Sequence, residues 1–285
     1  MRRRSGTPAH DRLAGGPLDA PALDIGIGLL SRGRWMTPRT LILLRLRRVS
    51  IALAATAAVL LLPRAGDAAA DRDTMLERRL ALVRSIERQG IRDSSTLAAM
   101  RAVPRHEFVP IEYREHAYLD EPLPIGREQT ISQPFIVAYM TEALHLRPGM
   151  KVLEVGTGSG YQAAVLAEMG CRVHTIEIIQ ALADGARTRL ERLGYAGIQV
   201  RHGDGYLGWP EAAPFDAILL TAAPERVPPV LVAQLAPGGR LIAPVGGEVE
   251  VQKLVLLEKN PTGRVKRTEL LPVRFVPMRK GVRRD

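Results

Sequence analysis

"KVLEVGTGSGYQAAVLAEMGCRVHTIE", residues 151–177, decides the fold. A short apolar run, KVLEV, meets the glycine loop Gly156-Thr157-Gly158-Ser159-Gly160; the helical stretch YQAAVLAEMG and a second strand-like run, CRVHTIE, follow. Strand, glycine turn, helix and strand in that order make the unit of a parallel sheet. The alternation continues through the helix IIQALADGARTRLERLG, the strands IQVRHGDG and FDAILLTAAP, a helix near PPVLVAQL and the strand GRLIAPVG. VQKLVLLEK and RTELLPVRFVP then come without a helix between them. The expectation is an α/β fold with a doubly wound, mostly parallel seven-stranded Rossmann-like sheet and antiparallel final strands.

Ligands of such sheets collect at the carboxyl ends of the strands. Those ends read Gly156 to Gly160, Glu177, Gly203-Asp204-Gly205 and Thr221-Ala222-Ala223-Pro224. Glycines let a ligand approach backbone amides that a side chain would block. Glu177, at the end of the second strand, is placed to accept both hydroxyls of a ribose, and Asp204 is a candidate acceptor for an adenine amino group. Tyr161 stands where a dinucleotide fingerprint needs a small residue, so a pyrophosphate is disfavoured. A phosphate loop would need Lys followed by Ser or Thr, and a hydrolase elbow would need Ser where Gly158 stands. The cofactor left is one with adenosine and no phosphates, S-adenosyl-L-methionine.

Working outward toward the N-terminus, MLERRLALVRSIERQG places Leu76, Leu80, Val83 and Ile86 on one helical face with Gly90 as the stop. DSSTLAAMRAVPRHEF reads as a capped helix stopped by Pro104. A Pro-rich loop carries PIGREQTISQ, and a helix from about Pro134 to Leu144 suits Pro at a first helical position. On residue chemistry alone, Ser132 or Gln133 would serve as that helix's N-cap.

The chain has 285 residues and a formal charge of +10, of which residues 1–74 contribute +6 (12 Arg against 6 acidic residues). Most of the excess therefore sits in an appendage. With aromatics at 4%, few rings are available for stacking bases, which speaks against single-strand nucleic-acid binding. Residues 1–35 read as disordered or as a non-native extension. From Met36 a basic leader, a 14-residue uncharged stretch (VSIALAATAAVLLL) and the small-residue segment ending at Ala70 have the layout of a signal peptide or membrane anchor. Lone Cys171 implies no disulfide framework and reads as a small buried thiol. The histidines lack metal-ligand spacing, so no metal is expected; Trp209 reads as packing, and the RFVPMRKGVRR tail as a solvated basic end.

LPIGREQTISQPFIVAYMTEAL, VLEVGTGSGYQAAVLAEMG, RHGDGYLGWPEAAPFDAILLTAAPERVP and LAPGGRLIAPVG together resemble the protein-L-isoaspartate O-methyltransferase family, across residues 75–283. The Thr-Ile-Ser-Gln-Pro run is the specific part; the glycine loop is common to many methyltransferases. The resemblance implies methyl transfer from S-adenosyl-L-methionine to the free carboxyl of L-isoaspartyl, and more weakly D-aspartyl, residues of age-damaged proteins and peptides. It implies a catalytic role for Ser132. It places Gln129, Thr130, Ile131, Ser132, Gly156, Gly158, Gly160, Glu177, Asp204 and Gly205 about the cofactor. Thr221, Ala222, Ala223, Pro224, Val276, Pro277 and Met278 would edge the peptide site.

A monomer is expected, with no nucleic-acid partner and no stable membrane contact by the catalytic domain; the resemblance and the cofactor's supply imply the cytoplasm, and the segment 36–70 points instead to the periplasm. A methyltransferase for a small molecule or nucleic acid, and a non-catalytic binding module, are the alternatives. The first would share the glycine loop and Glu177, and the second would keep the fold.

Overall fold

A computed structural model of the chain describes residues 65–247 and 251–282. The expectations for residues 1–35, and for 36–64 of the signal-like segment, lie outside the described residues.

The first described helix, α1, spans Ala65–Arg88 and so begins within the small-residue stretch, ahead of Met75. Its buried face carries Met75, Leu82, Val83 and Ile86; Leu76 is 42% exposed, one position out of register with the expected stripe. Helix α2, Ser94–Ala102, is capped by Asp93, whose carboxylate accepts from the N–H of Thr96. Two short 3-10 turns, Arg105–Phe108 and Ile111–His116, lead to a two-stranded antiparallel ribbon, β1 (Leu123–Gly126) and β2 (Gln129–Ile131). Sequence reading places a loop here. The reversal is made by Arg127 and Glu128, both at positive φ (53° and 58°), a turn normally marked by Gly or Asn. Helix α3 follows at Pro134–Ala143.

The main sheet is built as expected. β3 (Lys151–Val155), β4 (Arg172–Glu177), β5 (Gln199–His202), β6 (Phe215–Leu220) and β7 (Leu235–Val245) run parallel. β8 (Gln252–Lys259) and β9 (Val265–Val273) are antiparallel additions. Helices α4 (Tyr161–Glu168), α5 (Gln180–Arg192) and α6 (Pro229–Gln234) supply the crossovers. The spatial order is β5-β4-β3-β6-β7-β8-β9. The chain winds outward from β3 to β5 and then returns to β3's other side as β6. A crevice therefore opens where the winding reverses, at the carboxyl ends of β3 and β6.

Both sheet faces are covered, as the unbroken apolar strands require. Val152, Ala217, Leu219 and Ile242 join one core cluster with residues of α1 to α4. Leu153, Val155, Ile218, Leu220, Leu241 and Ala243 face the other, with Phe215 and Trp209. Trp209 is packing: the His174 ring meets it edge-on at 5.1 Å and the Arg201 guanidinium lies 3.8 Å over its ring. Cys171 is only half-buried, and desolvation pushes its thiol up to about 11. Among the described residues no helix is long and apolar enough to cross a membrane.

Candidate active site

The crevice is a cavity of about 830 Å³, counted to its open mouth, and most of the expected cofactor residues line it. Gly156 leaves β3 at φ +103°, a conformation L side chains avoid, and a Cβ there would run into the Thr221 hydroxyl. That hydroxyl donates to the Gly156 carbonyl at 2.5 Å, so the loop after β3 is tied to the end of β6. Gly160 does a different job. At φ +90° it is the left-handed entry residue of α4 and does not line the cavity.

Glu177 ends β4 buried against the glycine loop. Its Oε2 accepts from the N–H of Gly158 (2.8 Å) and its Oε1 from that of Ile179 (3.0 Å). Burial raises its pKa, against the pull of the N–H groups of Ile179, Gly158 and Ile178. The result is a fixed acceptor at the cavity wall, oriented before any ligand arrives.

Glu154 is the unexpected member. It interrupts the apolar run of β3, is fully buried and lines the cavity. Thr175 donates to its Oε2 at 2.6 Å, and the Thr175 hydroxyl is itself 2.7 Å from that of Thr157 in the glycine loop. Oε1 has no partner among the described residues. Desolvation pushes the carboxyl up to about 8, and the nearby Glu177 adds to the shift. A buried acceptor with an empty oxygen calls for a donor, and a cationic one would suit it best.

The mouth is framed by two pieces of chain far apart in sequence. On one side Gln129, Thr130, Ile131 and Ser132 come from β2 and the residues after it. Ser132 caps nothing: the N-cap position of α3 belongs to Gln133, which makes no side-chain capping bond, and the N–H of Phe135 is instead taken by Asp120 Oδ1 at 2.8 Å. The Ser132 hydroxyl, half-buried, has no hydrogen-bond partner among the described residues. On the other side Val276, Pro277, Met278 and Arg279 follow β9. They are held by a parallel bridge: the Ala223 N–H donates to the Val276 carbonyl and the Met278 N–H to the Ala223 carbonyl, both at 2.8 Å. The first part of the tail, Val276 to Arg279, is thus a wall of the site and not a solvated end, while Lys280 to Val282 are exposed.

A second depression, a groove lined by Pro122, Gln133, Ile136, Val251, Pro272 and Phe275, joins the cavity. Thr130, Ser132, Thr221 and Val276 line both. Gly158 and Gly205 line the cavity, whereas Ala222, Pro277 and Met278, expected at the peptide site, line this cavity and not the groove. Asp204 does not: its two oxygens accept from the N–H groups of Tyr206 and Gly281, so it organises the backbone behind the site. Ala223 and Pro224 also stand behind the lining, Ala223 as the anchor of the tail. Sequence reading missed Ile178, Ile179, Gln162 and Arg279, as well as Glu154. Only the last carried a usable signal, a carboxylate inside a buried strand.

Comparison with known proteins identifies relatives of the chain. Residues 77–283 match the family model described as Protein-L-isoaspartate(D-aspartate) O-methyltransferase (PCMT). A Gloeobacter violaceus protein-L-isoaspartate O-methyltransferase is 60% identical over 190 residues, 67% of this chain and 92% of the relative. A Polaromonas sp. protein-L-isoaspartate O-methyltransferase 2 is 54% identical over 207 residues, 72% of this chain and 98% of the relative. A Plasmodium falciparum crystal structure, described as a protein-L-isoaspartate O-methyltransferase in complex with S-adenosyl-L-homocysteine, superposes with a TM-score of 0.61 at 27% identity, covering 71% of this chain and 99% of that one. The chain therefore belongs to the protein-L-isoaspartate(D-aspartate) O-methyltransferase family.

Proposed function

We propose that this protein transfers a methyl group from S-adenosyl-L-methionine to the free carboxyl of L-isoaspartyl, and more weakly D-aspartyl, residues in damaged proteins, the first step of their repair. One observation carries the reading: the cavity suited to an adenosine cofactor and the groove open to solvent meet at Thr130, Ser132, Thr221 and Val276. A group transferred between a buried cofactor and a polypeptide must cross at such a junction.

The cavity fits the cofactor on its own chemistry. Glu177 offers carboxylate oxygens to a ribose diol, Gly156 and Gly158 leave room for close backbone approach, and the orphaned Oε1 of Glu154 suits an ammonium. When bound, the cofactor supplies a methyl carbon activated by a positive sulfur. An isoaspartyl carboxyl has a pKa near about 4, so at neutral pH it is ionised and needs no general base. Among the described residues no histidine lines either depression. What the protein must provide is alignment and a dry setting, and alignment alone can lower a barrier by about 7–11 kcal/mol. We assign to Ser132 the hydrogen bond that holds one carboxylate oxygen so that the other faces the methyl. Thr130, Thr221 and Val276 frame the crossing point.

The cofactor's supply favours action in the cytoplasm, and the family's polypeptide substrates favour a monomer with its groove free. The test is transfer of labelled methyl to an isoaspartyl peptide beside its normal-aspartyl twin. Selective labelling is expected; binding of cofactor with no labelling of either peptide would remove the assignment.

A further inference from the structure

Two guanidinium groups stand at the mouth of the site, and they differ. Arg279, at the cavity, is paired with Glu128 of the β1–β2 turn at 3.6 Å. Arg274 lines the groove, is exposed, and has no ion pair or hydrogen bond among the described residues. Among the described residues no acidic side chain lines the groove, and its other members are apolar or uncharged. Among the described residues the groove thus mixes apolar and neutral polar side chains, with one positive charge at its rim that no acid pairs.

Its position says what fills it. The groove runs directly into the crossing point through Thr130, Ser132, Thr221 and Val276, so whatever presents a carboxylate to Ser132 must lie along it. The occupant is the stretch of substrate polypeptide that flanks the isoaspartyl residue. We propose that Arg274 is a specificity-determining residue that recognises an acidic side chain on this flanking stretch, so that the enzyme favours isoaspartyl sites in acidic surroundings. The proposal rests on the methyl-transfer reading above.

Damage-prone sites differ little at the reacting carboxyl itself, so discrimination among them has to come from the neighbours. An exposed charge pair is worth little in absolute terms, and salt weakens it. The effect should therefore be a modest bias in substrate capture, strongest at low ionic strength, with no part in the chemical step.

The experiment uses the full chain and a set of isoaspartyl peptides bearing Glu or Gln at each position flanking the isoaspartate, with kcat/KM measured at low and high salt. At the best flanking position the Glu peptide is expected to exceed its Gln twin by about two- to five-fold at low salt, carried by KM and fading with salt. Arg274→Gln should level the pair and Arg274→Glu should reverse it, while S-adenosylhomocysteine affinity reports that the variants are folded. An unchanged Glu-to-Gln ratio in both variants would overturn the proposal alone. No transfer to any isoaspartyl peptide by the unaltered protein would overturn the methyl-transfer reading and the proposal with it.

Discussion

The side-chain amide of Gln252 completes both backbone hydrogen bonds of Phe275. Its Oε1 accepts the Phe275 N–H at 2.7 Å and its Nε2 donates to the Phe275 carbonyl at 3.0 Å. Gln252 is 2% exposed, so the pair is a dry substitute for one rung of a sheet, placed where β9 has ended and the site wall begins. Gln252→Leu would leave two backbone groups without partners, at a cost of about 1–3 kcal/mol each if both stay buried. The expected outcome is a raised KM for isoaspartyl peptide with kcat and S-adenosylhomocysteine affinity less affected, read from initial rates and calorimetry. A fall confined to kcat would contradict the positioning role.

Ser132→Ala removes the free hydroxyl at the junction. Loss of a single donor to a reacting oxygen costs on the order of 10²-fold in kcat in comparable sites. A fall of about that size is expected, with cofactor affinity within about two-fold of the unaltered protein. Single-turnover methyl transfer at saturating cofactor measures it, and equal turnover would take Ser132 out of the mechanism.

Glu154 should make cofactor binding proton-linked. With its carboxyl raised to about 8, it is largely protonated at neutral pH, and an ammonium brought to Oε1 favours the ionised form. Calorimetry in two buffers of different ionisation enthalpy should show proton release near pH 7, absent in Glu154→Gln. The sign for stability follows from the same shift. Between the ordinary 4.5 and about 8 the unfolded chain binds fewer protons at this position than the folded one, so its contribution falls as pH rises through that window and is level above it. Thermal melts of the unliganded protein should lose that slope in the Gln variant.

Gly156→Ala sets a side chain in a left-handed conformation and against the Thr221 hydroxyl. Such strain costs on the order of 1–3 kcal/mol. Cofactor affinity should weaken by about ten- to a hundred-fold in titrations with S-adenosylhomocysteine, without loss of the folded sheet. Retained affinity would show that the loop can re-form around a Cβ.

The sheet was legible because its causes are local: apolar runs of strand length, glycine turns at their ends and helical stretches between them. The last strands were legible from a missing helix. What escaped is held by partners distant in the chain. The β1–β2 turn uses Arg127 and Glu128 at positive φ, residues that announce nothing. Asp120, 15 positions before Phe135, takes the capping duty that the Ser132–Gln133 cluster advertises. Asp204 carries the right side chain at the right strand end, yet spends it on the backbone of Tyr206 and Gly281. Arg274 and Arg279 look like any basic tail until the bridge between Ala223 and Pro277 folds them back to the site.

That bridge also sets a timetable. A chain emerging from the ribosome delivers the glycine loop, Glu177 and Thr221 well before Pro277, so the sheet can form around a cofactor crevice that still lacks one wall. Synthesis that stops short of Phe275, or a protease that trims back to β9, would yield a species with most of its core but without the Val276 side of the junction. On the proposed reading, methyl transfer waits until the segment after β9 has docked on Ala223.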